Sequence, residues 1–502
     1  MSTTLDAADA AAPARAADVS PLYRAIWRWH FYAGLIAVPF MILLAVTGSI
    51  YLFHNEIDRT VFAYRHIVTP SATPLAPSAI VEKALAANPG AKALSYRDPP
   101  AADRSAIVKI TSADGPTFVY VDPGSGKVLD QVARRLEFHQ VTRKIHSLEF
   151  FGMVPNRIIE AIGGFGLVLV VTGVYLWWPR NQTGGVYTVR GTPARRVWWR
   201  DLHAVTGAAG AIVIFFLAAT GMPWTGFWGE RFNDAAREAG LGFPELAWGD
   251  TPKIAPVYLP AGAAAPAAAP ADAHAGHVMA PADAGGDHAG HGAAAAPAPK
   301  TGDVLEKPGW AVERADQPAS KPVLAPSIGL DRAVKIVIDR GLMRGFEMAL
   351  PQSETGVYTA AIYPADLAKE RTIHLDQYSG APIADISFAD YGPIGKAVEW
   401  GVNVHMGQEW GLFNQLLMVA GCLALVVAAV SGTVMWWKRR PAGNVGVPPM
   451  PQDRRIYVVL WTIAVVFGAL FPITGLAILI MIALDLAVIR TVPALRSAFG
   501  RG

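Results

Sequence analysis

The stretch His30-Phe-Tyr-Ala-Gly34-Leu-Ile-Ala-Val-Pro39-Phe-Met-Ile-Leu-Leu-Ala-Val-Thr47-Gly48 decides the architecture, because a histidine heads a run that stays apolar to Phe53. Phe31 to Phe53 exceeds the roughly 20 residues that cross a bilayer core about 30 Å thick. Ile158 to Trp178, Ala204 to Trp228 and Leu412 to Trp437 meet the same test, so four spanning helices are expected. A fifth run, Ile456 to Ile489, has 34 residues. As one helix it would reach about 51 Å, so it reads as two short helices turning near Pro472 and Gly475, with one long tilted helix as the alternative.

Composition agrees with a membrane chain: of 502 residues, 52% are hydrophobic and 17% charged. Forty-three Lys and Arg against forty Asp and Glu leave a formal +3, too little to imply a nucleic-acid partner. A single Cys excludes a disulfide framework, a four-Cys zinc site and a Cys-ligated iron–sulfur cluster, so the twelve His are the rich source of metal ligands. No Ser/His/Asp or His-Glu-x-x-His pattern supports hydrolysis, and no Gly-x-Gly-x-x-Gly stands between strand and helix.

Arginines orient the set. Arg180, Arg190, Arg195, Arg196 and Arg200 crowd the second connection, and Lys438, Arg439, Arg440, Arg454 and Arg455 the fourth, which places both in the cytoplasm. Arg15, Arg24 and Arg28 put the N-terminus there too, and the first helix reads as an uncleaved anchor. The expected order is a disordered tail (1–20), a first spanning helix (21–54), an extracytoplasmic domain (55–138), and an outer segment with the second helix (139–180). A cytoplasmic loop (181–200), the third helix (201–228) and a second extracytoplasmic domain (229–395) follow. An outer segment with the fourth helix (396–438), a cytoplasmic loop (439–455) and the C-terminal hairpin (456–493) complete the chain. The fold class is mainly α: a polytopic helical protein with two small α+β domains outside. Each insert carries one helix-and-strands segment with an Asp-x-x-Ser-Gly hairpin, at Asp122 to Gly126 and Asp376 to Gly380.

An internal repeat places the histidines. His30 is followed by Gly34 and Thr47-Gly48, and His203 at the same spacing by Gly207 and Thr220-Gly221. Eighteen residues make five helical turns, so each His lies on one face with its two glycines. The other helices match as His146 with Thr172-Gly173 and Trp177-Trp178, and His405 with Ser431-Gly432 and Trp436-Trp437. The chain thus reads as two copies of helix, outer domain, helix, related by an axis along the membrane normal. Such copies bring His30 level with His203 near the inner face, and His146 level with His405 near the outer face. Two facing imidazoles suit a six-coordinate haem, and Gly34 and Gly207 leave a groove for a flat macrocycle. Two b-type haems are therefore expected, without Cys-x-x-Cys-His attachment. A bend near Gly152 and Pro155 must fold the His146 segment back, since an unbroken helix to Trp177 would span about 46 Å.

The remaining histidines have plainer readings. His54, His66 and His139 are solvated outer groups that could also replace a ligand or bind metal, and His374 sits in a probable strand as a structural residue. Residues 260–300 are Ala/Pro/Gly-rich and carry His274, His277, Met279, His288 and His291. They read as a flexible linker, or as a loose tether for Cu or Fe.

Trp27-Arg-Trp-His30-Phe-Tyr-Ala-Gly34, Arg200-Asp-Leu-His203, Val404-His405-Met-Gly407 and the two Trp-Trp helix ends resemble the PepSY-associated transmembrane family of bacterial inner-membrane proteins, over most of residues 20–440. The outer inserts resemble its PepSY domains. The resemblance implies a ferric-siderophore reductase with two b haems held by His30, His203, His146 and His405, and periplasmic PepSY-like domains. A reductant or quinol would supply electrons to a ferric chelate; the long His/Met tether is outside the family pattern and keeps copper open beside iron. Two other readings stand beside it: a metal or siderophore permease without haem, and an anchored module whose PepSY-like domains bind peptides or restrain a protease.

Overall fold

The structure, a computed structural model, describes residues 20–180, 184–243, 298–306, 309–323, 325–442, 444–447 and 454–499. The tether residues His274, His277, Met279, His288 and His291 lie outside the described residues, as does nearly all of the expected tail. The chain divides into two compact units. One comprises Met1–Ile57, Arg135–Glu238 and Ala397–Gly502, and the other Asp58–Arg134 and Ala239–Lys396.

The first unit is helical. Helix α1 (Pro21–Leu52) starts where Ser20 Oγ accepts the Tyr23 N–H at 3.2 Å and Pro21 occupies a position that needs no N–H. Helix α2 (Phe138–His146) begins at Glu137, whose carboxylate accepts the Gln140 N–H at 2.9 Å. It ends in a reversal that Leu148 (φ 54°) and Gly152 (φ 105°) make possible, and the Asn156 side-chain amide ties the turn by donating to the Ser147 carbonyl at 2.8 Å. The expected bend therefore falls at residues 147–152, and Pro155 already lies in the first turn of α3 (Met153–Trp177).

Helix α4 (Arg196–Gly221) runs into a short 3-10 turn, and α5 (Trp228–Glu238) follows. The buried Glu160 carboxylate of α3 accepts the N–H groups of Phe227 and Trp228, each at 3.0 Å, placing an anion where the start of α5 leaves N–H groups unsatisfied. Helix α6 (Pro393–His405) and α7 (Leu412–Arg439) are joined by a turn through Gly407 and Gly411, both with positive φ. Here Asn414 donates to the Val404 carbonyl at 2.9 Å, the counterpart of the Asn156 tie. Gly210 lies against Ala424, and Gly421 against Val213, so the backbones of α4 and α7 approach closely. The C-terminal run breaks at Phe471 and Pro472 into α8 (Arg454–Leu470) and α9 (Pro472–Leu484), whose backbones meet at Gly468 and Gly475. That is the expected pair of short helices rather than one long tilted helix, with the break at the expected proline.

Five helices among the described residues are long and apolar enough to cross a membrane: Pro21–Leu52, Met153–Trp177, Arg196–Trp224, Leu412–Arg439 and Pro472–Ile489. The chain is a multi-pass membrane protein.

The second unit corrects the sequence reading. In place of two separate small domains, the inserts build one antiparallel sheet of eight strands: β1 (Lys92–Arg97), β2 (Ala106–Ser112), β3 (Gly115–Val121), β4 (Val128–Ala133), β5 (Glu347–Ala349), β6 (Val357–Ile362), β7 (Arg371–Asp376) and β8 (Pro382–Ser387). Their order, β4-β3-β2-β1-β5-β6-β7-β8, puts the first strand of each insert at the centre, with β1 and β5 meeting at Ser95–Ala349, Tyr96–Met348 and Arg97–Glu347. At this seam Ser95 Oγ donates to Glu347 at 2.7 Å. The helices Pro77–Ala86 and Leu330–Asp339 contribute Ile80, Ala84, Ala333 and Val337 to one core with Val108, Val119, Met348 and Ile373. The two Asp-x-x-Ser-Gly hairpins form matching turns. Asp122 and Asp376 each accept the Ser hydroxyl, and Gly126 and Gly380 take positive φ.

Candidate functional site

Each of the four matched histidines is held by a residue distant in sequence. His30 Nδ1 lies 2.9 Å from Thr172 Oγ1, and His146 Nδ1 lies 2.8 Å from Thr47 Oγ1. His405 Nδ1 lies 2.9 Å from Thr220 Oγ1, and His203 Nδ1 2.7 Å from the Ala428 carbonyl. The threonines and histidines are therefore exchanged: α1 supplies His30 to α3 and takes His146 on Thr47, while α4 supplies His203 to α7 and takes His405 on Thr220.

The partners decide the tautomer. A hydroxyl has one proton. Thr47 spends it on the Leu43 carbonyl at 2.7 Å, Thr172 on Val168 at 2.6 Å, and Thr220 on Phe216 at 2.7 Å. Each hydroxyl can then only accept from the imidazole, and the Ala428 carbonyl can only accept. All four rings carry hydrogen on Nδ1 and present Nε2 as a bare lone pair, which is the form that ligates a metal.

The glycines after each threonine or serine seat these rings. A methyl carbon added at Gly173 would lie 3.2 Å from His30 Cε1, at Gly48 3.4 Å from His146 Cε1, and at Gly432 3.1 Å from His203 Cε1. At Gly221 the same carbon would be 3.8 Å from His405 Cε1. Their lack of a side chain admits the facing imidazole, while the groove expected for a macrocycle is that at Gly34 and Gly207. Of the two glycines that follow the histidines, Gly207 faces open space and Gly34 lies against Leu169.

His30 and His203 face one another, with ring centroids 6.1 Å apart and planes at 76°. Two imidazoles sharing an ion at about 2 Å from each nitrogen have centroids roughly 5 to 6.5 Å apart. The neighbouring Asp201, fully buried, is held by Arg190 at 2.7 Å and Arg200 at 2.6 Å, so two of the arginines that the charge bias counted are committed to fixing the start of α4. Among the described residues no group of three or more His, Cys, Asp or Glu side chains gathers to hold a metal; ring contacts join His30 with His203 and His54 with His139.

Of the other histidines, His374 stands in a strand as the sequence reading has it, whereas His54, expected as a solvated outer group, is buried. His66 Nε2 is 3.3 Å from Asp58, with its ring on Tyr120 at 5.0 Å. His374 is fully buried in β7 and bonded to Thr359 Oγ1 at 2.9 Å, a structural role. His54 and His139, 85 positions apart, stand face to edge at 5.9 Å. The Trp pairs anchor helix ends: Trp177 Nε1 donates to Val186 O at 2.9 Å and Trp436 Nε1 to Val445 O at 2.7 Å. Cys422 is buried.

A multi-pass helical bundle with paired imidazoles and an inserted antiparallel sheet is thus the class that fold and site define. Residues 27–439 match the family described as the PepSY-associated TM region, and the chain belongs to that family. No curated protein matches the chain.

Proposed function

We propose that this protein moves single electrons across the bacterial inner membrane through two b-type haems, one bound by His30 and His203 and the other by His146 and His405, to a ferric chelate on the outer face. The observation that supports it most is the common tautomer: four half-buried imidazoles each commit Nδ1 to an acceptor and keep Nε2 for a ligand. The 6.1 Å spacing of His30 and His203 and the open face at Gly207 suit the same cofactor. Haem held by these histidines would supply one-electron transfer.

The chain's own residues do the rest. Thr47, Thr172, Thr220 and the Ala428 carbonyl fix the rings in rotation, and the apolar helices keep water from them. His30 and Thr47 are 17 residues apart on α1, so the two sites lie about 25 Å apart along the bundle, a separation on the scale of the bilayer core. One electron from an inner reductant or quinol would convert Fe(III) in the chelate to Fe(II), weakening its hard oxygen coordination. In this reading the chain is a duplicated unit with its sheet in the periplasm and its Arg-rich loops inside.

The test is ferric-chelate reduction by inverted and right-side-out vesicles holding the protein, with His30→Ala and His405→Ala variants. The proposal requires electrons supplied inside to reduce chelate outside, and each variant to abolish this. Equal activity in the variants, or chelate uptake without reduction, overturns it.

A further inference from the structure

His54 and His139 make a second kind of imidazole pair. His54 Nδ1 lies 2.9 Å from the Tyr51 carbonyl, an acceptor only, so the ring carries hydrogen there and Nε2 is its lone-pair nitrogen. The side chain is buried, and its ring stacks on Tyr51 at 5.1 Å and 21°. Carbonyl bond and stack together hold one rotamer. His139 completes a three-ring group, its centroid 5.9 Å from His54 at 81° and 6.4 Å from Tyr51 at 89°.

Helical spacing explains why these two meet. His54 follows Thr47 by seven positions, and His139 precedes His146 by seven. Seven residues are close to two turns, so the contact that joins Thr47 to His146 is repeated about 10 Å further along the same pair of chain segments. The pair has nearly the separation and angle of His30 and His203, 6.1 Å and 76°. Both fall in the range of roughly 5 to 6.5 Å that two imidazoles bound to one ion occupy.

We propose that His54 and His139 form a two-imidazole seat for a divalent first-row transition-metal ion. Imidazole selects Fe(II), Cu(II) or Zn(II) over Mg(II) or Ca(II). Two protein ligands leave the other coordination positions to donors that arrive with the ion, unlike a closed structural zinc site with four. The seat stands on its own geometry whether or not the four threonine- or carbonyl-anchored histidines hold haem.

Zn(II) is the probe, titrated by calorimetry into the full chain in nanodiscs. His54→Ala and His139→Ala should each remove one equivalent, and the double variant the same single equivalent, because both residues share one ion. Replacing His274, His277, His288 and His291 by Ala should leave that equivalent in place. The Soret absorbance should stay at the parent value in both single variants, which separates this site from the haem reading. On the unsubstituted protein, Zn(II) should slow carbethoxylation of His139 at least tenfold, a readout that does not depend on how a variant folds. Unchanged stoichiometry in the single variants, loss of two equivalents in the double, loss of the Soret band in His139→Ala, or carbethoxylation indifferent to Zn(II) would each overturn the proposal.

Discussion

His146 and Thr47 are separated by 99 residues and joined by a 2.8 Å contact between ring Nδ1 and hydroxyl Oγ1. Because the hydroxyl proton is already given to Leu43, the contact has one polarity, and it leaves Nε2 of His146 as the lone-pair nitrogen. The same construction at His30 with Thr172 and at His405 with Thr220 makes the threonines, as much as the histidines, determinants of the site.

Thr47→Val keeps the shape of the side chain and removes the acceptor. Loss of a partner that orients a metal-ligating histidine costs about 10- to 100-fold in affinity. Haem retention at the His146/His405 site should fall by that factor on dilution, while the His30/His203 site is unaffected; Thr172→Val should show the reverse. Thr47→Ser should restore retention. Equal losses at both sites in either variant would mean that the threonines act through general stability.

The glycine seats should respond in proportion to their clearance. Gly432→Ala and Gly173→Ala place a methyl 3.1 and 3.2 Å from the ring of His203 and His30, so the ring must turn and the inner site should lose most of its haem. Gly221→Ala, with 3.8 Å to His405, should leave the outer site loaded. Haem content of the three purified variants checks this, and the order is contradicted if Gly221→Ala is the most damaging.

The sequence carried the helices and the histidines clearly, because apolar length and the repeated His-to-Gly spacing are local signals. It did not carry the exchange of partners, since nothing in Thr47-Gly48 points to a ring on a helix one hundred residues on. The seam of the sheet was hidden for a related reason. β5 is only Glu347-Met348-Ala349, three residues of helical preference, and β1, Lys92 to Arg97, mixes charged, small and aromatic side chains without clean alternation. Only the long-range pairing of Ser95 with Glu347 and Tyr96 with Met348 makes them strands, so two expected domains became one. The six remaining strands and the helices Pro77–Ala86 and Leu330–Asp339 were legible from pattern and turns.

His374 gives the sheet unit a pH dependence. Burial pushes its pKa down from 6.5 to about 3. The folded form therefore stays neutral where the unfolded chain takes up a proton, so stability is full above the unfolded value and falls as pH drops below it. Asp385 is held below the usual carboxylate range, against its burial, by Arg371 and Arg340, and loses its contribution only at lower pH. Between about pH 6 and 4.5 the slope should thus approach 1.4 kcal/mol per pH unit from His374 alone. Pulse proteolysis of the full chain across denaturant should show that slope in the sheet unit, and His374→Gln should flatten it. A slope that survives the substitution assigns the effect to other groups.

Two bis-imidazole haems in one chain would be visible in the optical spectrum of the purified protein, oxidised and then reduced with dithionite, with haem counted per chain. The spectra should be b-type, with about two haems per chain in the unsubstituted protein and about one in each of His30→Ala, His203→Ala, His146→Ala and His405→Ala. A chain that purifies from haem-replete cells without a Soret band, or keeps both haems when any one of these histidines is replaced, contradicts this assignment.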